Sequence, residues 1–328
     1  MTECPRLSRR GLLVGLGSAA LPAAARAQGA YPTRPVEVVL SWAPGGSSDS
    51  VARLLAQALA TEFGHPFVVN NRPGAGGTIG HAYVARARPD GYTLLVATNS
   101  TYAIAPYLYE NIPYDGDTAF APISLLGTNA QVLTVHPSVP ATTTQDFIAW
   151  AKAQRDPVPY ASSGIGATSH LSAELFMSMA DVTMLHVPYR GGSEPVQAVV
   201  AGQVMVNFMD ASTAKPLIEA GRIKGLGVTT LTQSPVLPGI PPMAESGLPG
   251  FESSTDFALL APAGTPQPIL DTLLVATRKV LATPAVREQL TGRGIAPIGG
   301  TPAEFTAYSA RENAKWREVI RSRGIRAA

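Results

Sequence analysis

The chain has 328 residues, with 25 Lys+Arg against 23 Asp+Glu, five histidines and a single cysteine. A balance this close to neutral excludes the strongly basic surface of a nucleic-acid binder. One cysteine excludes a disulfide framework and a Cys-rich metal site. The length points to two domains.

The first 27 residues read as an export signal. An Arg9-Arg10 pair precedes an apolar stretch and the small-x-small site Ala25-Arg26-Ala27, with cleavage expected after Ala27. The order Ser8-Arg9-Arg10-Gly11-Leu12-Leu13 is that of a twin-arginine signal. The apolar run is too short and too rich in Ala and Gly to span a bilayer. Cys4 lies ahead of that run, so the exported chain carries no thiol and no lipid anchor is expected. The leader takes Arg6, Arg9, Arg10, Arg26 and Glu3 with it, leaving 21 basic against 22 acidic residues. No later segment is apolar for long enough to cross a membrane.

From Pro35 the pattern alternates strand and helix. "VEVVLSW" is a short β-branched strand. Val51, Leu54, Leu55, Ala58 and Leu59 then follow the spacing of a core-facing helix. "PFVVNN" is a second strand, Ile79-Ala82-Tyr83 marks a second helix, and "YTLLVAT" is a third strand. Near Gln131 the scheme restarts with the strand "QVLTVHP", the helix "TTQDFIAWAKAQ" and the strand "VPYAS". The helix of "SGIGATSHLSAELFMSM", the strand "TMLHVPY", a helix begun by Pro195, the strand "QVMVNFMD", a helix around Pro216–Ala220 and the strand "IKGLGVT" follow. After a proline-rich stretch, Thr265-Pro266, Thr283-Pro284 and Thr301-Pro302 each place a capping hydroxyl before proline. Thr301 and Glu304 also fit a capping box. Strands separated by helices imply parallel sheets, with ligands beyond the C-terminal strand ends. The expectation is an α/β fold of two lobes with a cleft between them: lobe 1 from 28–130 and 254–328, lobe 2 from 131–253.

Each unit has a Gly/hydroxyl turn leading from a strand into a helix: Gly45-Gly46-Ser47-Ser48 in the first, Ser162-Ser163-Gly164-Ile165-Gly166 in the second. Three uses compete. Polyphosphate binding lacks the P-loop lysine, and Asp49 repels a phosphate. The Gly74–Gly80 run is only a near miss to a dinucleotide fingerprint. Hydrolysis lacks a G-x-S-x-G elbow, although Ser47 or Ser163 with a histidine near in space stays open as a rival. The histidines lack H-x-x-x-H spacing for zinc. No cofactor, metal or catalytic residue is expected. A carried carboxylate fits a helix N-terminus, with its unpaired N–H groups and partial positive charge. One helix end gives about 0.3–2 kcal/mol, whereas micromolar binding needs about 8 kcal/mol. About four charge-assisted hydrogen bonds at ~1.5–3 kcal/mol each reach that target after the association cost, so two facing turns must share the job.

The stretches "YPTRPVEVVLSWAPGGSSDSVARLLA", "NNRPGAGGTIG", "RPDGYTLL", "IPYD", "YASSGIGATSHLSAELF", "HVPYRGG" and "APAGTP" together resemble the Bug family. These are the extracytoplasmic solute receptors of tripartite tricarboxylate transporters. The resemblance covers nearly the whole mature chain. It implies a type II periplasmic-binding-protein fold, a small organic acid as ligand, membrane transporter subunits as partners and a periplasmic location; a monomer is expected. It also implies that the loop of Trp42, Pro44, Gly45, Gly46, Ser47 and Asp49 holds a ligand carboxylate. Asp49 either contributes to that site or caps the helix. Ser162, Ser163, Gly166, Thr168 and His170 form the opposing jaw, with His170 orienting the loop. Asn99 and Ser100 line the cleft floor or make an ordinary turn. Tyr189 and Arg190 end a strand in lobe 2, where Arg190 either pairs with a distal carboxylate or is solvated. Asp210 either accepts from the ligand or caps a helix, and Arg72 holds loop geometry. The chain departs from the family at Ser41-Trp42, where a Pro-Phe pair is common, and Trp42 favours a flat or aromatic acid. A sensory receptor for the same ligands remains open beside uptake.

Overall fold

The computed structural model describes residues 1–2, 31–189 and 193–327. The expected leader, with Cys4, and the site candidate Arg190 lie outside the described residues. Pro32–Ala328 forms one unit, separate from Met1–Tyr31.

The unit opens with β1 (Val36–Leu40), α1 (Ser47–Phe63), β2 (Phe67–Asn71), α2 (Thr78–Ala85) and β3 (Thr93–Thr98). Val38, Val39 and Leu40 are fully buried, as their β-branched and leucine run predicts. The α1 stripe of Val51, Leu54, Leu55 and Leu59 is buried as well, and Gly64 closes the helix at φ +68°, a left-handed conformation that suits glycine. A π-helical turn (Ser100–Ile104) runs into α3 (Ala105–Leu108) and then β4 (Phe120–Val135). Next come α4 (Thr144–Lys152), β5 (Val158–Ser162), α5 (Thr168–Ala180), β6 (Met184–Pro188), α6 (Glu194–Val200), β7 (Val206–Asp210), α7 (Ala211–Glu219) and β8 (Lys224–Val228). The chain ends with β9 (Ser254–Pro262), α8 (Gln267–Ala282), α9 (Pro284–Gly292), β10 (Ile295–Pro297) and α10 (Pro302–Arg323).

The strands form one sheet in the order β2-β1-β3-β9-β4-β7-β5-β6, with β8 and β10 also paired to β4. Each half is parallel where parallel pairing is expected: β1 with β2 and β3, and β5 with β6 and β7. The centre differs from the sequence reading, because β4 and β9 run antiparallel to each other and to the strands flanking them. The β4 strand belongs to both halves. Its residues Phe120–Ala130 pair with β9, and Gln131–Val135 pair with β7. Pro122 and Gly127 break the apolar alternation of its first part, which is why only the part from Gln131 is legible in the sequence.

Local signals explain some helix starts and miss others. Thr301 caps α10 in a full capping box: Glu304 N donates to its Oγ1 at 3.2 Å, and Thr301 N donates to Glu304 Oε2 at 2.7 Å. Thr265 and Thr283 are not capping hydroxyls. Pro266 is the N-cap of α8, and the Thr265 hydroxyl donates to Pro262 O at 2.7 Å. Thr283 donates to Lys279 O at 3.2 Å, turning back onto the preceding helix. The helix expected around Pro216–Ala220 starts earlier, at Ala211, with Pro216 inside it.

Three hydrophobic clusters among the described residues flank the sheet; one packs Val132, Val199 and Val228 together. Another packs Phe147, Phe176, Phe208 and Phe251 around Leu133. The third joins Leu95, Leu125 and Leu260 to Leu171 of α5 and to Trp316, Val319 and Ile320 of α10. Helix α10 therefore binds both halves. Truncating a fully buried tryptophan such as Trp316 costs about 3–5 kcal/mol.

Candidate ligand-binding site

A cavity of about 980 Å³ opens between the two halves at the strand ends. Both Gly/hydroxyl turns reach it. Trp42, Gly46, Ser47 and Ser48 come from the β1–α1 turn, and Ser163, Gly164, Ile165 and Thr168 from the β5–α5 turn. Apolar groups make up much of the wall, with Trp42, Ile165, Val196, Phe208 and Met209 prominent. Among the described residues, no lysine or arginine lines it. Such a cavity is apolar with a few convergent polar groups, the usual character of a small-molecule site.

The first turn is built from inside. Asn71 at the end of β2 donates to Trp42 O (2.9 Å) and to Asp49 Oδ1 (3.0 Å). Asp49 Oδ2 accepts from Gly45 N (3.1 Å) and from Arg53 Nε (2.9 Å). Burial opposes ionisation of Asp49, but the bonds from Arg53, Asn71 and Gly45 outweigh it and hold its carboxyl below the ordinary value. Asp49 is not the N-cap, which is Gly46. It is a strut inside the turn and spends the Gly45 amide. The amides that α1 leaves without intrahelical partners are those of its first turn, from Ser47 onward. Trp42 Nε1 donates to Thr98 Oγ1 at 3.0 Å, which fixes the indole along the cavity wall.

The second turn is built by a polar network. Gly166, at φ +80°, donates from its N to His170 Nδ1 at 3.2 Å. The other ring nitrogen, Nε2, lies 3.6 Å from Glu174 Oε1. Glu174 also accepts from Tyr160 OH (3.0 Å) and from Arg323 Nε on α10 (2.9 Å). Burial disfavours its charge, yet the donors from His170, Arg323 and Tyr160 prevail and bring it down to about 2. His170 is thus held from both sides, by the Gly166 amide and by Glu174. His186 stacks on His170 at 4.0 Å between ring centres. Burial, with His170 beside it, lowers His186 to about 4, so it is neutral at physiological pH.

Hydrogen bonds centred on Asp210 and on Thr168 join the halves beside the cavity. Ser47 Oγ donates to Asp210 Oδ2 at 2.6 Å, and Thr255 Oγ1 donates to Asp210 Oδ1 at 2.9 Å. Asp210 occupies the N-cap position of α7 but makes no side-chain cap bond. Burial raises its pKa against the bonds from Ser47, Thr255 and Gln131. Thr168 Oγ1 meets Ser100 Oγ at 3.1 Å and donates to Asn99 Oδ1 at 3.2 Å. Asn99 donates in turn to Ser254 O at 2.7 Å.

Among the described residues, neither Ser47 nor Ser163 has a hydrogen bond to a histidine. The Ser47 hydroxyl is directed at Asp210, and Ser163 is engaged through its backbone N by Ser169 Oγ (3.1 Å). A histidine does approach the neighbouring Ser162, with Oγ to His186 Nε2 at 2.6 Å. Ser162 is 0% exposed, accepts from Gly164 N (3.1 Å) and does not line the cavity, so this pair pins the turn.

Of the residues singled out in the sequence, Trp42, Gly46, Ser47, Ser100, Ser163, Thr168, Tyr189 and Asp210 border the cavity. Pro44, Gly45, Asp49, Asn99, Ser162, Gly166 and His170 stand behind or beside it. The sequence reading missed the Pro73–Gly77 turn, Tyr109 and Thr255, all of which line the wall. The glycines of "NNRPGAGG" follow β2, next to β1, and that placement was the available signal.

The family model described as "Tripartite tricarboxylate transporter family receptor" matches residues 51–325. Protein BugT of Bordetella pertussis (strain Tohama I) is 32% identical over 317 residues, covering 96% of each chain. The structure of R. palustris Rpa4515 with adipate superposes with a TM-score of 0.86 at 35% identity, covering 90% of this chain and 99% of that one. MatC from Rhodopseudomonas palustris, with malate bound, gives a TM-score of 0.81 at 32% identity over 88% of this chain and 100% of its own. The chain belongs to the tripartite tricarboxylate transporter receptor family, in the company of the Bug periplasmic binding proteins.

Proposed function

We propose that this protein is an exported, monomeric receptor that takes up a small organic carboxylate between its lobes, leaves it chemically unchanged and passes it to transporter subunits in the membrane. The observation that carries the reading is that two amide-bearing turns, Gly46–Ser48 and Ser163–Thr168, border one cavity from opposite halves of the sheet. Adipate in one relative and malate in another support the ligand class. The lobes divide as 28–130 with 254–328, and 131–253. A leader over 1–27, twin-arginine in type and cut after Ala27, brings the chain to the periplasm.

The wall of Trp42, Ile165, Val196, Phe208 and Met209 suits an acid with an apolar or aromatic body more than a compact tricarboxylate. Ser163 adds a hydroxyl to the amides, and Arg190 is our candidate for a second carboxylate. A thermal-shift panel of mono-, di- and tricarboxylates with aromatic acids tests the reading, because a ligand that binds only the native state raises the melting temperature. Stabilisation by adipate or an aromatic acid is the expected result. A panel in which only amino acids or sugars stabilise would overturn the ligand class.

A further inference from the structure

A second cavity, of about 830 Å³, lies away from the ligand site along α2. Four arginines line it: Arg34 ahead of β1, Arg72 after β2, and Arg86 and Arg88 after α2. Its lining has one acid, Asp90, already paired with Arg34 at 3.1 Å. On a chain whose basic and acidic residues nearly cancel, this is a local excess of positive charge.

Arg34, Arg86 and Arg88 are exposed, whereas Arg72 is half-buried and its Nε is fully buried. Arg34 stacks over Tyr92 at 3.8 Å and Arg72 over Tyr83 at 3.6 Å, which fixes their planes. Arg72 also lies 3.6 Å from Glu37. The side chains of Arg86 and Arg88 have no hydrogen bond or ion pair among the described residues. A guanidinium fork matches a carboxylate in geometry as well as charge. The same groove exposes apolar surface, with Ile79 at 52% and Tyr83 at 38%. The arginines come from three segments, ahead of β1, after β2 and after α2. A single small ion leaves the exposed Ile79 uncovered. An extended segment with several carboxylates and an apolar residue matches all of these features.

We propose that this groove docks an acidic segment of the receptor's membrane partner. The inference rests on the receptor reading above. Its position gives the contact a purpose. Thr78 and Ile79 border the groove, while the Pro73–Gly77 turn just before them borders the ligand cavity. A partner seated on α2 would therefore touch the segment whose other side faces the ligand.

The test uses the purified protein and a fluorescein-labelled peptide of three glutamates, one leucine and three glutamates, followed by anisotropy at low salt. Arg86→Glu with Arg88→Glu should weaken binding at least tenfold. The control pair Arg155→Glu with Arg222→Glu, which makes the same change in net charge elsewhere, should change it less than threefold. Affinity for the cleft ligand should stay the same in both variants, which shows that they are folded and separates this proposal from the function of the cleft. Three results would overturn it: no peptide binding, equal weakening in the two variants, or displacement of the peptide by micromolar citrate or pyrophosphate. The last would make the groove a small-anion pocket.

Discussion

Ser47→Ala tests whether the halves are held together by Asp210. The Ser47 hydroxyl is 2.6 Å from a buried carboxylate on the opposite half of the sheet. A hydrogen bond to a charged group contributes about 1.5–3 kcal/mol net. The bond joins the two halves beside the cavity, so its loss should lower ligand affinity by up to the same amount, about 10- to 150-fold. Calorimetry with adipate, or with the acid that the thermal-shift panel returns, should be run on Ser47→Ala, Asp210→Asn and the double variant. If Ser47 acts through Asp210, the double variant should be little worse than either single one, with a coupling energy close to the full effect of Ser47→Ala. Unchanged affinity in Ser47→Ala, or effects that simply add, would refute the clasp. In the additive case Ser47 would act on the ligand by itself.

Three further outcomes follow from the same geometry. Glu174 is held at about 2, so its contribution is complete above the ordinary glutamate value and is lost as the pH falls from about 4.5 towards 2. Urea melts at pH 5 and pH 3 should show the wild type losing more stability than Glu174→Gln. Gly166→Ala forces a side chain into φ +80° and drives its Cβ into Leu108 Cδ2. Left-handed strain alone costs about 1–2 kcal/mol, so the melting temperature should fall. Adding Leu108→Ala should relieve the overlap without removing the strain, and an unchanged melting temperature in Gly166→Ala would contradict the placement of this turn. Asp256 is pushed up to about 7 by burial and by the neighbouring Glu312 carboxylate. Its raised value favours the folded state at low pH, and this advantage is lost as the pH rises from about 4 through about 7. The melting temperature should therefore drop between pH 5 and 8 in the wild type and drop less in Asp256→Asn.

The sequence by itself determined the elements whose signals are local. The β-branched run of β1, the apolar stripe of α1 and the Thr301–Glu304 box each depend on neighbours within a few residues, and each appears as read. It also marked the two glycine and hydroxyl turns, because backbone that must bend sharply before a helix needs those residue types. Tertiary structure alone decided the centre of the sheet. In β4 the residues before Gln131 form a strand because β9 lies beside them, 135 positions away in the pairing of Ser124 with Leu259, hardly a local signal. The fate of the acids was hidden for the same reason. Asp49 and Asp210 looked alike in sequence, each an acid beside a helix start. One is folded back onto Gly45, Arg53 and Asn71, while the other receives hydroxyls from Ser47 and Thr255 beside the cavity. A carboxylate bonds to whatever donors the fold brings within 3 Å or so, and donors from distant segments leave no trace in the residues around it.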